Sequence, residues 1–167
     1  MRRSTGRIGE ISRHRREPIM QTGRRIAFDY GDVRIGVAVS DLSGLLATPL
    51  ENILNSEDSK LESIQLLLVE YEPIYLVVGS PLHLSGDTSA KGASVQIFCE
   101  TLAAATSIPI YLIDERLTTV SAAKSIKDTG KNTREAKSLI DGFAAAAILD
   151  SALHQERLHG SPMKRFV

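Results

Sequence analysis

The 167-residue chain has one cysteine, Cys99, so it cannot form an internal disulfide. That suits a reducing cytoplasm. The four histidines are scattered, no His/Cys cluster has zinc-ligand spacing, and His154 and His159 are expected on the surface. No apolar run approaches the roughly 20 residues that span a bilayer. The first residues lack the apolar core of a signal peptide. There is no internal repeat, low-complexity tract or domain linker. These absences leave a single soluble domain, and an apolar fraction of 43% is enough to build its core.

Net charge is also lacking, but the zero hides an asymmetry. Residues 1–25 carry eight arginines against Glu10 and Glu17, or +6, and the remaining 142 residues carry −6. Segment 1–22 has almost no apolar periodicity and is expected to be a disordered basic arm. Such an arm could tether nucleic acid electrostatically. The plainer reading, an unstructured extension with Met20 as the true start, is preferred.

Apolar patterning then sets out the elements. Arg24–Asp29 reads as a first strand, Tyr30–Val33 as a turn, Arg34–Ser40 as a second strand, and 46–54 as a third after the Asp41–Gly44 turn. Leu61, Ile64, Leu68 and Tyr71 mark an amphipathic helix over 57–71, capped by Ser56 and stopped by Pro73. The unbroken run Ile74–Val78 predicts a parallel strand covered on both faces. A loop over 80–87, a helix over 88–106 and a fifth strand over 108–113 follow. A short helix runs from Thr118 or Thr119 to near Gly130. A last helix, with Asn132 and Glu135 as a capping box, would bury Ala136, Ile140, Phe143 and Ala147. Antiparallel strands followed by strand–helix–strand units predict an α/β domain with a mixed sheet.

In such sheets ligands sit at the carboxyl ends of the parallel strands. Asp29, Gly79 and the pair Asp114–Glu115 all fall there, and Asp141 lies in the last helix. If these acids converge they repel. Two carboxylates about 4 Å apart oppose each other by roughly 4 kcal/mol at an effective dielectric near 20. A hard divalent cation relieves that repulsion and suits phosphodiester hydrolysis. Each acid also has a simpler explanation. Asp29 could bond turn amides, Asp114 could pair with Arg116, and Asp141 could pair with Lys137 one helical turn away. Asp32, Asp41 and Asp87 read as turn or cap residues. Arg34, Lys91, Arg116, Lys124, Lys131 and Arg134 could neutralise phosphates, with Arg34 and Arg116 the favoured pair. Cys99 reads as helix core rather than nucleophile.

The stretch Ile26–Asp41 closely resembles the opening motif of the YqgF/RuvX family. Val77–Leu82, Asp114–Thr119 and Ile140–Ala145 resemble its later motifs, in order and at suitable spacing. The resemblance covers about 24–155, and four motifs in sequence are highly specific. It implies an RNase H-like fold, here a five-stranded mixed sheet with helices on both faces. The domain would span 23–157, with the arm 1–22 before it and a flexible tail 158–167 after it. It further implies a cytoplasmic, metal-dependent endonuclease that processes the 5′ end of precursor 16S rRNA. The family's acidic positions fall on Asp29, Asp114–Glu115 and Asp141, with Asp29, Glu115 and Asp141 holding one or two Mg²⁺ or Mn²⁺ ions. Arg34, Gly79, Pro81 and Arg116 would meet substrate. Ser80 and Ser85 depart from the commoner residues of the substrate loop. Partners would be precursor rRNA or branched DNA, and ribosomal precursor particles; no membrane is involved, and the protein would be a monomer or homodimer. The rivals are a Holliday junction resolvase, a non-catalytic RNA-binding module, and an actin-like ATPase or sugar kinase. The last shares the Asp29-Tyr-Gly31 turn but needs a second domain.

Overall fold

A sheet forms because β1 (Arg25–Tyr30), β5 (Tyr75–Ser80) and β6 (Ile110–Asp114) are apolar on both faces, and β2 (Arg34–Ser40) can fold back onto β1. The computed structural model describes residues 20–81, 89–117, 134–162 and 164–167; for Leu117 and residues 134–141 it describes the backbone alone. The remaining elements are β3 (Ala47–Pro49), β4 (Ile53–Leu54), α1 (Lys60–Tyr71), α2 (Ala90–Ala105), a 3₁₀ turn (Glu115–Leu117), α3 (Arg134–His159) and β7 (Lys164–Arg165). The expected arm over 1–19, loop residues 82–88, the helix after Thr118 or Thr119 and the Asn132 cap lie outside the described residues.

The strands are ordered β3-β2-β1-β5-β6-β7, with β4 also on β2. β1 is antiparallel to β2 and parallel to β5, and β5 is parallel to β6. The β1–β2 turn is tight: a Cβ on Gly31 would lie 2.6 Å from the Arg34 carbonyl oxygen, so glycine is required there. Strand alternation divides the core into two layers. Ile26, Phe28, Ile35, Val37, Leu76, Val78 and Ile110 pack with Ile64 of α1 and with Val95, Phe98 and Leu102 of α2. Ala27, Ala38, Val77 and Ile113 pack beneath α3. This is the expected mixed α/β architecture with helices on both faces.

Among the described residues, seven strands stand in place of the expected five. The expected strand over 46–54 is interrupted at residues 50–52, just past Pro49, which has no N–H to donate to a ladder. The segment 158–167, expected as a flexible tail, carries β7. There Phe166 N–H donates to the Ile110 carbonyl at 2.7 Å and Phe166 packs on the core. A two-residue strand is too short for any periodic signal, and it covers the otherwise open edge of β6.

Phe143 corrects the expected register of the last helix: it is 60% exposed. The buried stripe is Ala145, Ile148, Leu149 and Ala152. In an Ala-rich helix several faces are apolar, and the face with the smallest residues lets the helix approach the sheet most closely.

α3 runs antiparallel to the parallel strands. Glu156, near its end, binds Arg25 and Tyr75 at the starts of β1 and β5. Ile148, further up the helix, lies against Gly79 at the end of β5. The first turns of α3 therefore lie toward the strands' carboxyl ends.

Candidate active site

Asp29 is buried near the end of β1, on the same face as Ala27 and hence beneath α3. Across the antiparallel ladder it pairs with Gly36. On the parallel side it is one step beyond the Phe28–Val78 pair, beside Gly79. Both neighbours therefore contribute no side chain at the level of the Asp29 carboxylate.

The chain leaves β6 into the 3₁₀ turn, and Glu115 folds back over β5. A Cβ built on Gly79 would lie 3.2 Å from Glu115 Oε1 and 2.5 Å from Ile148 Cδ1. Gly79 is thus the floor on which the Glu115 carboxylate rests, on the same face as Asp29. On the other flank, Asn52 Oδ1 is 3.9 Å from the position of a Cβ on Gly142 in α3. Asp141 immediately precedes Gly142, and its side chain lies outside the described residues. Asp29 Oδ1, Asn52 Oδ1 and Glu115 Oε1 are buried and accept no hydrogen bond, although each of these residues has other interactions. Among the described residues, no group of three or more His, Cys, Asp or Glu is placed to hold a metal ion. The Asp29 and Glu115 carboxylates offer hard oxygens of the kind that suits Mg²⁺ or Mn²⁺.

Asp114 is placed differently. It pairs in register with Ser80 and alternates away from the α3 face. Its carboxylate accepts from Arg116 Nε at 3.0 Å and Nη2 at 2.6 Å, and from the Arg116 backbone N–H at 3.0 Å. The Arg116 hydrogen bond is the main reason its carboxyl is held below the usual range, with Lys164 adding to the field. Arg116 is exposed and Arg34 half-buried. Arg34 pairs with Leu54 and shares the face of Gly36, two residues nearer the turn. Pro81 is half-buried and directly follows β5. Lys91, in the first turn of α2, places Nζ 3.8 Å from Glu115 Oε1.

Asn52 has no signal in the sequence. Its place against Gly142 depends on where α3 crosses the sheet, which no local pattern encodes. The Lys91–Glu115 pair is equally hidden, joining residues 24 apart across a parallel ladder.

Comparison with known proteins points to one group. Residues 23–155 match the family model RuvX, described as "Holliday junction resolvase". A Streptomyces coelicolor protein named "Putative pre-16S rRNA nuclease" is 42% identical over 147 residues, 87% of this chain and 88% of its own length. A Clavibacter michiganensis protein of the same name is 43% identical over 145 residues, 86% of this chain and 90% of its own. Among solved structures, Thermus thermophilus RuvC in complex with a Holliday junction substrate superposes with a TM-score of 0.51 at 19% identity. That match covers 86% of this chain and 99% of the RuvC chain. At that identity the likeness speaks for the fold, which is RNase H-like.

Proposed function

The chain belongs to the RuvX family, and from that premise we propose that it is a metal-dependent endonuclease acting on precursor 16S rRNA. The observation that carries this reading is the Glu115 carboxylate resting on Gly79, beside Asp29 and on the same face of the sheet. Two acids 86 residues apart in sequence occupy one end of the sheet, and Gly79 leaves the room there that the Glu115 carboxylate fills. Asp29, Glu115 and Asp141 would hold one or two Mg²⁺ or Mn²⁺ ions. Bound there, such an ion supplies an activated water and stabilises the departing oxygen of a phosphodiester.

The protein's own groups do the rest. Asp29 and Glu115, as ligands, would orient the attacking water, and its proton would pass to bulk solvent. Gly36 lets a sugar–phosphate backbone come down onto the sheet end, and Gly79 makes room beneath it for the Glu115 carboxylate. Arg34 and Arg116 hold flanking phosphates, and Asp114 fixes the Arg116 fork through two side-chain bonds. Gly79 and Pro81 begin the loop that meets the strand. The catalytic domain begins near residue 23 and takes in β7. Precursor ribosomal particles in the cytoplasm are the setting for this chemistry.

The test compares precursor 16S rRNA, linear duplex and a four-way DNA junction, each with and without Mg²⁺ or Mn²⁺. Cleavage of the precursor that requires metal and disappears in Asp29→Asn, with the circular dichroism spectrum unchanged, is the expected result. Retained cleavage in Asp29→Asn would refute the assignment. The RuvX description and the RuvC-like fold favour a second reading, junction resolution, which preferential cutting of the four-way substrate would establish. Binding without cleavage, insensitive to EDTA, would leave an RNA-binding module.

A further inference from the structure

We propose that Lys91 is the placeholder cation of the acidic site: its ammonium balances Glu115 in the metal-free protein and turns to a substrate phosphate when a divalent ion takes the carboxylate. This rests on the reading of Asp29, Glu115 and Asp141 as metal ligands.

Three observations support it. The Lys91 Nζ to Glu115 Oε1 distance is 3.8 Å, an ion pair beyond hydrogen-bonding length. Between these two groups it is therefore charge attraction and not a fixed directional bond. The partners also differ in exposure: the Lys91 side chain is 43% exposed and that of Glu115 12%. The carboxylate stays in the site while the ammonium, on a four-carbon stem, reaches both the site and the solvent from which a strand arrives. Finally, the base of Lys91 is fixed. It is in the first turn of α2, where the Ser89 hydroxyl accepts from Gly92 N–H at 3.1 Å and caps the helix. The swing is thus confined to the side chain.

Arg116 cannot play this part, because Asp114 holds its guanidinium. A single lysine charge that leaves one anion for another avoids both failures open to such a site. The acids are not left to repel each other, and the ion is not shut out by a bound cation.

Mn²⁺ binding to the full chain, measured by isothermal titration calorimetry, tests the idea on wild type, Asp29→Asn, Lys91→Met and Lys91→Arg. Lys91→Met should bind Mn²⁺ roughly fivefold or more tightly than wild type, as expected when a unit charge a few ångströms from a divalent ion is removed. It should nonetheless cleave more slowly at saturating Mn²⁺. Lys91→Arg should stay near wild type in both. If Asp29→Asn loses Mn²⁺ while Lys91→Met binds it no better than wild type, the placeholder role fails and the acidic site stands. If Lys91→Met gains affinity and cleaves at the wild-type rate, the phosphate role fails and the proposal with it. If wild type and Asp29→Asn bind Mn²⁺ alike, the acidic site and the placeholder fall together.

Discussion

Two adjacent acids, Asp114 and Glu115, have different neighbours because successive side chains of an extended chain point to opposite faces. Asp114 ends β6 facing away from α3 and is held by Arg116. Glu115 begins the next turn and lies over Gly79. The proposed function therefore gives a direct role to Glu115 and a positioning role to Asp114. Glu115→Gln is expected to lower metal-dependent cleavage by well over about a hundredfold, and Asp114→Asn by about 10–100-fold, as for groups that act through another residue. Single-turnover cleavage measures both. Equal losses would mean that Asp114 meets the reacting atoms after all. Cys99 is a simpler case at this scale: it is buried in α2, and burial pushes its thiol up to about 12, so it stays protonated and unreactive.

Among the elements, the β2–β3 turn depends on one carboxylate. Asp41 Oδ1 accepts from Leu45 N–H at 2.7 Å and Leu46 N–H at 2.9 Å, and Oδ2 accepts from the Ser43 hydroxyl. The Leu46 amide is the largest cause that lowers its pKa from 3.8 to about 2. A folded pKa below the unfolded one gives stability that is complete above the unfolded value and lost as pH falls through the folded value. Asp41→Asn should therefore be less stable than wild type near neutral pH, and the gap should close between about 4 and about 2. Urea denaturation across that range checks it; a gap that persists at low pH would show that the charge is not its source.

Asp41 also shows which features were legible in the sequence. Its Asp-Leu-Ser-Gly context marked a turn, just as the apolar runs at 26–28, 74–78 and 108–113 marked strands and Pro73 marked a helix end. These signals are local: a turn residue, a breaker or a run acts within a few positions. Asp29 was legible because a carboxylate ending a buried strand is costly anywhere. Phe143, β7 and Asn52 were not, since the face α3 turns to the sheet depends on how closely alanines pack there. The choice of Glu115 over Asp114 needed the exact strand end.

Across the whole molecule, the longest-range tie lies at the opposite end of the sheet from the acids. Arg25, fully buried, donates from Nε to Glu156 Oε2 at 3.0 Å and from Nη2 to Oε1 at 2.5 Å. Tyr75 O–H donates to the same carboxylate at 2.8 Å, and the Gly23 and Gln21 carbonyls accept from the guanidinium. Burial and Glu156 push the Tyr75 phenol far up, so it remains a donor. This network pins the end of α3 to the starts of β1 and β5, which sets where the helix's first turns lie over the acids. Removing one partner of a buried pair leaves the other charge uncompensated at about 3–5 kcal/mol, whereas apolar replacement of both is often nearly neutral. Glu156→Ala should therefore lose about that much stability, and the Arg25→Met/Glu156→Leu double variant clearly less, both read by chemical denaturation. If the ion pair serves chiefly to place α3, the double variant should still cleave more slowly than its stability explains, because methionine and leucine can fill the space without fixing the helix's rotation. A double variant as stable and as active as wild type would show that close packing of the alanines alone holds α3 in place.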